Sequence, residues 1–121
     1  MNKVFLDSNI LIYLYTSDEQ TKIVAINEIL NTHEEVLIST QVLFEFSYVM
    51  HRKLKVDYIA IEAAVKEFEE AFEIVTITYD SILHAIAIAS KYKYSFPDSL
   101  IMAVALEHKC NFLFTEDMHN E

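Results

Sequence analysis

Glycine is absent from this 121-residue chain, and proline and cysteine occur once each, at Pro97 and Cys110. Without glycine no glycine-rich phosphate-binding loop can form. Turns must then use Asn, Asp, Ser, Thr and His, and helices meet few residues that would break them. A single cysteine cannot form an internal disulfide, which fits a reducing cytoplasm and a buried apolar role for Cys110.

The sequence also lacks the patterns of several common sites and segments. The five histidines are scattered, so none of them has the spacing of a zinc site. No serine or cysteine has the partners that a catalytic triad requires. The N-terminus enters a strand-like run without a signal peptide, and no apolar stretch approaches the ~18 residues of a membrane span. We therefore expect a cytoplasmic protein that does not contact a membrane.

Hydrophobic residues make up 53% of the chain, which argues against disorder and predicts a single domain over 1–121 with a substantial core. The net charge is −10, from 9 Lys and Arg against 19 Asp and Glu. Nucleic-acid binders are usually basic, because neutralising phosphates supplies much of their affinity. The acidity therefore counts against a nucleic-acid partner, although acidity also serves solubility alone.

Short apolar strands alternate with helices along the chain. This alternation predicts an α/β fold in which helices cover both faces of a mostly parallel sheet. The chain ends soon after the fourth strand, so a fifth edge strand is either missing after Glu121 or does not exist. The predicted strands are 3–6, 35–39, 73–78 and 111–115, and the predicted helices are 8–17, 18–33, 40–54, 56–72, 79–94 and 95–110.

Two acidic residues follow predicted strands. Asp7 comes directly after the first strand, and Asp117 lies two residues past Thr115 at the end of the fourth. Ligands of open parallel sheets collect at the carboxyl ends of the strands, so we expect both carboxylates at one sheet edge. The local alternative for Asp7 is helix capping, since Asp, Ser and Asn are the residues that begin helices.

Two further acidic residues lie on predicted helices. Asp98 ends the capping-box pattern "SFPD", in which Ser95 is the N-cap, so it can serve as a cap, a metal ligand or both. Glu45 lies in the apolar helix "QVLFEFSYVM", where a buried carboxylate needs a partner. The alternative is that Glu45 belongs to a solvated stripe with Gln41 and Arg52.

The four carboxylates would repel one another strongly if they met without a cation. Hard divalent metals such as Mg²⁺ prefer oxygen ligands, and typically take one or two carboxylates and several waters. Such an ion generates hydroxide and stabilises the charge on a transferring phosphoryl group. The pattern therefore favours a metal site formed by Asp7, Glu45, Asp98 and Asp117.

Four segments, "VFLDSNILIYLY", "ISTQVLFEF", "YSFPDSLIMAVALEHKC" and "FLFTEDM", cover nearly the whole chain in this order. Together they resemble the PIN-domain ribonucleases, and more narrowly the VapC-type toxins of bacterial and archaeal toxin–antitoxin pairs. The resemblance implies a three-layer α/β/α PIN-like fold with four or five strands and a Mg²⁺- or Mn²⁺-dependent endoribonuclease activity. It also implies a homodimer held inactive by a cognate antitoxin, which inserts a side chain at the acidic pocket.

The resemblance also assigns roles to residues. It implies that Asp7 and Asp98 are the firmest metal ligands, and that Glu45 and Asp117 complete the site directly or through water. Thr115 takes the place of a hydroxyl residue that supports the site. Asn9 is expected to support Asp7.

The sequence departs from the family pattern in three places. Phe44 stands before Glu45 where an Asn is common, and Pro97 stands before Asp98 where an aromatic residue is common. The last strand of the family is absent after Glu121. These departures put one polar contact, the shape of the pocket and the sheet edge in question.

The net charge leaves open which surface of the protein RNA would contact. Removing the four proposed ligands from −10 still leaves −6. RNA would need a local basic patch, either Arg52, Lys53 and Lys55, or Lys91 and Lys93. We expect a steep salt dependence and a modest affinity for bare RNA.

Two other functions stay open at this point. The acidic surface mildly favours a PIN-like module that binds only protein partners and has weak or no catalytic activity. A phosphoacceptor domain would also place an aspartate after a parallel strand. Receiver-type sites need a pair of acids there, however, and here only Asp7 is present.

Overall fold

The computed structural model describes residues 2–16, 20–32 and 35–115. Asp117 lies outside the described residues. Strands and helices follow the predicted order, and most boundaries agree within two residues. The strands are β1 Lys3–Leu6, β2 Glu35–Ser39, β3 Glu73–Val75 and β4 Phe112–Phe114, and the helices are α1 Ser8–Thr16, α2 Gln20–Thr32, α3 Thr40–Arg52, α4 Tyr58–Ala71, α5 Tyr79–Tyr92 and α6 Phe96–Glu107.

The four strands form one parallel sheet in the order β3-β2-β1-β4. Three consecutive residues of β1, Val4, Phe5 and Leu6, are at most 1% exposed. Successive side chains of a strand point to opposite faces, so both faces of the sheet are covered. The predicted α/β fold with a parallel sheet is confirmed. None of the described helices has the length and apolar character needed to cross a membrane.

Helix α3 connects the core to the end of the sheet. Ser39 ends β2 and caps α3, because its Oγ accepts a hydrogen bond from the Val42 N–H at 3.3 Å. The core face of α3 consists of Val42, Phe46 and Met50, and the Phe46 ring packs edge-on against Phe68 of α4 at 5.0 Å. Because consecutive members of this face are four residues apart, the opposite face of α3 is left for polar and exposed side chains.

Lysine takes the left-handed positions that glycine usually fills at helix ends. The non-glycine residues with positive φ in the described ranges are Lys55, Lys93 and Lys109, at 61°, 62° and 58°. The expectation that turns use Asn, Asp, Ser, Thr and His did not include lysine. A cation near a helix C-terminus interacts favourably with the helix dipole, which offsets part of the cost of this conformation.

Candidate active site

The order of the strands creates a topological switch point between β1 and β4. The chain moves outward from β1 through β2 to β3 and then returns to place β4 on the other side of β1. Ligands of open parallel sheets bind outside the carboxyl ends of the strands at such a point. The residues that emerge here are Asp7 after β1 and Thr115 after β4.

Asp7 is buried, at 6% exposure, and held in place by its neighbours. Its backbone N–H donates to the Phe114 carbonyl at 3.0 Å, which continues the pairing of β1 with β4. Thr115 Oγ1 donates to Asp7 Oδ2 at 2.8 Å, and the Ser8 N–H donates to Asp7 Oδ1 at 2.6 Å. Both carboxylate oxygens of Asp7 are therefore fixed by hydrogen bonds from adjacent chain segments.

Ser8 links Asp7 to the half-buried Glu45. The Ser8 hydroxyl lies 3.2 Å from Glu45 Oε1 and 3.5 Å from Asp7 Oδ1. Ser8 was not predicted as a site residue, although it stands beside Asp7 in the short polar interruption "DSN". A small hydroxyl residue on the first turn of α1 lets α3 approach the end of β1 closely enough for this bridge.

Gln41 fixes the other oxygen of Glu45 and was likewise not predicted as a site residue. Its Nε2 donates to Glu45 Oε2 at 3.2 Å and to the Pro97 carbonyl at 3.0 Å. Only the NH₂ group can serve two acceptors, so the orientation of the amide is determined. The buried Gln41 Oε1 finds no hydrogen-bond partner within the described part of the chain. Gln41 thus ties Glu45 of α3 to the start of α6.

Asp98 arrives on the first turn of α6. Ser95 Oγ accepts from the Asp98 N–H at 3.2 Å, so the predicted N-cap at Ser95 is present. Burial raises the pKa of Glu45, and the charges of Asp7 and Asp98 raise it further, whereas hydrogen bonds from Gln41 and Ser8 act in the opposite direction. Residues from three distant parts of the chain therefore act on one carboxylate.

Of the four predicted acids, the structure links Asp7 and Glu45 through Ser8, and Asp98 is near enough for its charge to raise the pKa of Glu45. Thr115 contacts Asp7 as expected. Asn9 is partly buried on α1, and no hydrogen bond joins it to Asp7 among the residues described. Glu45 has hydrogen-bond partners and also lies on the same face of α3 as Gln41. Both alternatives given for Glu45 from the sequence therefore hold in part.

The oxygens at this site suit a hydrated hard cation better than a fully protein-built cage. Within residues 2–16, 20–32 and 35–115, no three acidic, histidine or cysteine side chains lie close enough together to bind one ion. Mg²⁺ usually takes one or two carboxylates and keeps several waters. Asp7 and Glu45 supply such a pair, because both carboxylates lie within 3.5 Å of the Ser8 hydroxyl. The residues present therefore fit Mg²⁺ or Mn²⁺.

Comparison with known proteins agrees with this architecture. The PIN domain family model matches residues 4–119. The fold is similar to that of VapC20 from Mycobacterium tuberculosis, a sarcin–ricin loop cleaving toxin, with a TM-score of 0.77 and 18% identity over 96% of this chain and 91% of that one. It is also similar to a toxin–antitoxin complex from Klebsiella pneumoniae, with a TM-score of 0.71 and 22% identity over 93% and 86% of the two chains.

A third similar structure is FitAcB from Neisseria gonorrhoeae, with a TM-score of 0.69 and 17% identity over 93% of this chain and 87% of that one. At these identities the likeness concerns the fold. None of the curated proteins matches the chain.

Proposed function

This chain belongs to the PIN domain family, and we propose that it is a divalent-metal-dependent endoribonuclease that acts as the toxin of a VapBC-type toxin–antitoxin pair. The observation that carries the proposal is the link between Asp7 and Glu45 through Ser8 at the switch point of the sheet, with Asp98 near enough to raise the pKa of Glu45. Two carboxylates held this close together in a largely buried site are costly unless a cation joins them. A nuclease uses such a cation directly.

The site residues have different proposed roles in metal binding. Asp7 and Asp98 are the proposed metal ligands, and Glu45 and Asp117 complete the site directly or through water. A bound Mg²⁺ or Mn²⁺ would supply a water of lowered pKa and neutralise charge on the phosphoryl group. Thr115 and the Ser8 N–H hold the two oxygens of Asp7 in one orientation.

Glu45 has a further proposed role in moving a proton. Its pKa is raised, chiefly by burial, so it accepts a proton from an attacking water more readily than an exposed carboxylate does. The bonds from Gln41 and Ser8 hold its two oxygens in place for this transfer. Glu45 would therefore orient and deprotonate the water.

Partners follow from the same proposal. A similar fold occurs in the toxin–antitoxin complex from Klebsiella pneumoniae, which supports a cognate antitoxin as the binding partner. The family resemblance further implies a homodimer. An RNA substrate and the lone cysteine both fit the cytoplasm.

The test is cleavage of RNA by the purified protein with Mg²⁺ or Mn²⁺, with EDTA, and with Asp7→Asn. We expect the substitution to lower the rate by about 10²-fold or more, because it removes charge at the reacting centre. Asp80→Asn is the matched control, since Asp80 is an exposed acid in the first turn of α5 and should leave the rate unchanged. Cleavage that survives both chelation and Asp7→Asn would refute the proposal.

The acidic surface favours a second candidate, a catalytically weak or inactive module that binds only protein. Its net charge of −10 opposes RNA binding, and Phe44 replaces the Asn that is common in the family. Calorimetry with Mg²⁺ and Mn²⁺ separates the two candidates. No heat of metal binding, together with a stable antitoxin complex, would favour the module.

A further inference from the structure

A groove of about 770 Å³ runs along the outer side of α3 toward the start of α4. We call it the α3 groove. It is lined by aromatic and basic side chains and no acidic one, chiefly Phe44, Tyr48, His51, Arg52, Lys55 and Tyr58. This composition is the opposite of the acidic surface that the rest of the sequence implies.

The aromatic rings of the α3 groove are exposed and pre-arranged. Phe44, Tyr48 and Tyr58 are 68%, 53% and 66% exposed, so burial in the core does not account for them. Phe44 and Tyr48 stack at 6.1 Å, and the rings of His51 and Tyr58 stack at 3.9 Å. The His51 ring is held further by its Nδ1, which donates to the Val56 carbonyl at 2.9 Å, because a carbonyl only accepts.

Cations line the same surface. The Arg52 guanidinium lies 5.7 Å from the centre of the Tyr48 ring, within the range of a cation–π contact. Lys55 follows the end of α3, where its φ of 61° turns the chain. The neighbouring Asp57 is engaged in capping α4, where its Oδ1 accepts from the Ala60 N–H at 2.9 Å. The α3 groove is therefore positively charged within a chain of net charge −10.

Two residues that line the α3 groove lie on the same face of α3 as two residues of the candidate active site. Residues three, four, seven and eleven apart lie on one face of a helix, so Gln41, Glu45, Tyr48 and Arg52 share a stripe. At 1.5 Å per residue, Arg52 lies about 10 Å along the helix axis from Glu45. That length matches about three nucleotides of a base-stacked strand.

We propose that the α3 groove binds the single-stranded RNA next to the bond that is cleaved. Bases stack on Phe44, Tyr48 and Tyr58, and Arg52 and Lys55 contact phosphates. The proposal rests on the proposed ribonuclease function, which names RNA as the ligand. Exposed rings with flanking cations suit unpaired bases, whose faces are free, whereas the faces of bases in a duplex are occupied by their neighbours.

The test measures RNA binding separately from cleavage. Fluorescence anisotropy in EDTA follows a labelled single-stranded RNA of about 12 nucleotides and the same strand in a duplex. We expect Tyr48→Leu to raise the Kd for the single strand about tenfold or more, because one stacking contact is lost. Arg52→Gln should raise the Kd and reduce the slope of log Kd against log salt by about one phosphate contact. The duplex should bind more weakly than the single strand.

A matched pair for comparison lies at the end of α5. Lys91 Nζ is 5.3 Å from the centre of the Tyr92 ring, which reproduces the chemistry of Arg52 on Tyr48 away from the α3 groove. Lys91→Gln and Tyr92→Leu should each change the Kd by less than about twofold, the range of an uninvolved surface substitution. If only these two variants weakened RNA binding, the proposal that the α3 groove binds RNA would be wrong.

The outcomes separate this proposal from the ribonuclease function. If cleavage depends on metal but RNA binding is insensitive to Tyr48→Leu and Arg52→Gln, the α3 groove does not bind RNA, and the ribonuclease function is unaffected by this result. If RNA binding depends on the groove residues but no metal-dependent cleavage occurs, the RNA-binding role of the α3 groove is supported and the ribonuclease function is refuted. If the two variants leave RNA binding unchanged but abolish the antitoxin complex, the groove is a protein-docking surface and the proposal fails. Circular dichroism of each variant verifies that it has folded.

Discussion

Asp7→Asn should stabilise the metal-free protein while removing its stabilisation by Mg²⁺. Asn keeps the shape of the side chain, and its oxygen still accepts from the Ser8 N–H. Its NH₂ group donates to Thr115 Oγ1, which can accept as well as donate. The substitution therefore removes a charge and retains both hydrogen bonds.

The size of the effect follows from the distances at Ser8. Asp7 Oδ1 and Glu45 Oε1 lie 3.5 and 3.2 Å from the same Ser8 Oγ. They are thus at most about 7 Å apart, where two unit charges repel by about 2 kcal/mol at an effective dielectric constant of about 20. Solvent screening and the weaker bonds of a neutral side chain reduce the net gain in unfolding free energy to about 1 kcal/mol.

Thermal unfolding in EDTA and in Mg²⁺ measures both effects. A gain of about 1 kcal/mol raises the Tm of a chain of this length by about 4 °C. Mg²⁺ at about 100 times its Kd adds about 2.7 kcal/mol to the wild type, or about 10 °C, and should add far less to the variant. The order of the two Tm values should therefore reverse with metal.

The pH dependence has a defined sign. Because the pKa of Glu45 is raised, a falling pH protonates Glu45 in the folded protein and removes the same repulsion from the wild type. In EDTA, the gain in unfolding free energy from Asp7→Asn should be complete above that pKa and should shrink as the pH falls below it. A variant that is less stable than the wild type in EDTA would show that the Asp7 charge does not destabilise the metal-free protein. A variant that Mg²⁺ stabilises as much as the wild type would show that Asp7 does not bind the ion.

Three further predictions concern other parts of the chain. Lys93→Gly should raise the unfolding free energy by about 1 kcal/mol in urea unfolding, because φ of 62° costs lysine more than glycine, and the absence of any gain would contradict this. Burial and the hydrogen bond to Glu67 raise the pKa of Tyr15 to about 12. The contribution of neutral Tyr15 to the unfolding free energy should therefore be complete below pH 10 and be lost as the pH rises toward 12. Tyr15→Phe should therefore flatten this alkaline loss in pH-dependent unfolding. Burial also raises the pKa of Cys110, so alkylation at pH 8, followed by mass spectrometry, should be several-fold slower than for a cysteine peptide, and equal rates would contradict this.

The elements of the fold were predictable because each has a local signal. The apolar run of β1 and the helical spacing of α3 determine secondary structure without distant contacts. Alternating strands and helices then require a parallel sheet, and the strand ends bring Asp7 and Thr115 to one edge. The meeting of Asp7 and Glu45 was predictable only from the cost of leaving an acid unpaired in an apolar helix.

The links between elements were not predictable from local signals. Ser8 and Gln41 became part of the site because α3 packs beside β1 and beside the start of α6, and no sequence pattern gives those separations. The stacking of His51 on Tyr58 likewise depends on how α4 turns back on α3. The left-handed lysines were missed because propensity disfavours lysine there, while the end of each helix imposes the conformation.

An anomalous difference map from crystals soaked with Mn²⁺ tests the proposed metal site most directly. We expect a peak within about 2–2.5 Å of carboxylate oxygens of Asp7 and Asp98, close to Glu45. Crystals of Asp7→Asn under the same conditions should lose this peak. A wild-type map without a peak at the ends of β1 and β4, or with the ion bound elsewhere on the protein, would contradict the proposed metal site.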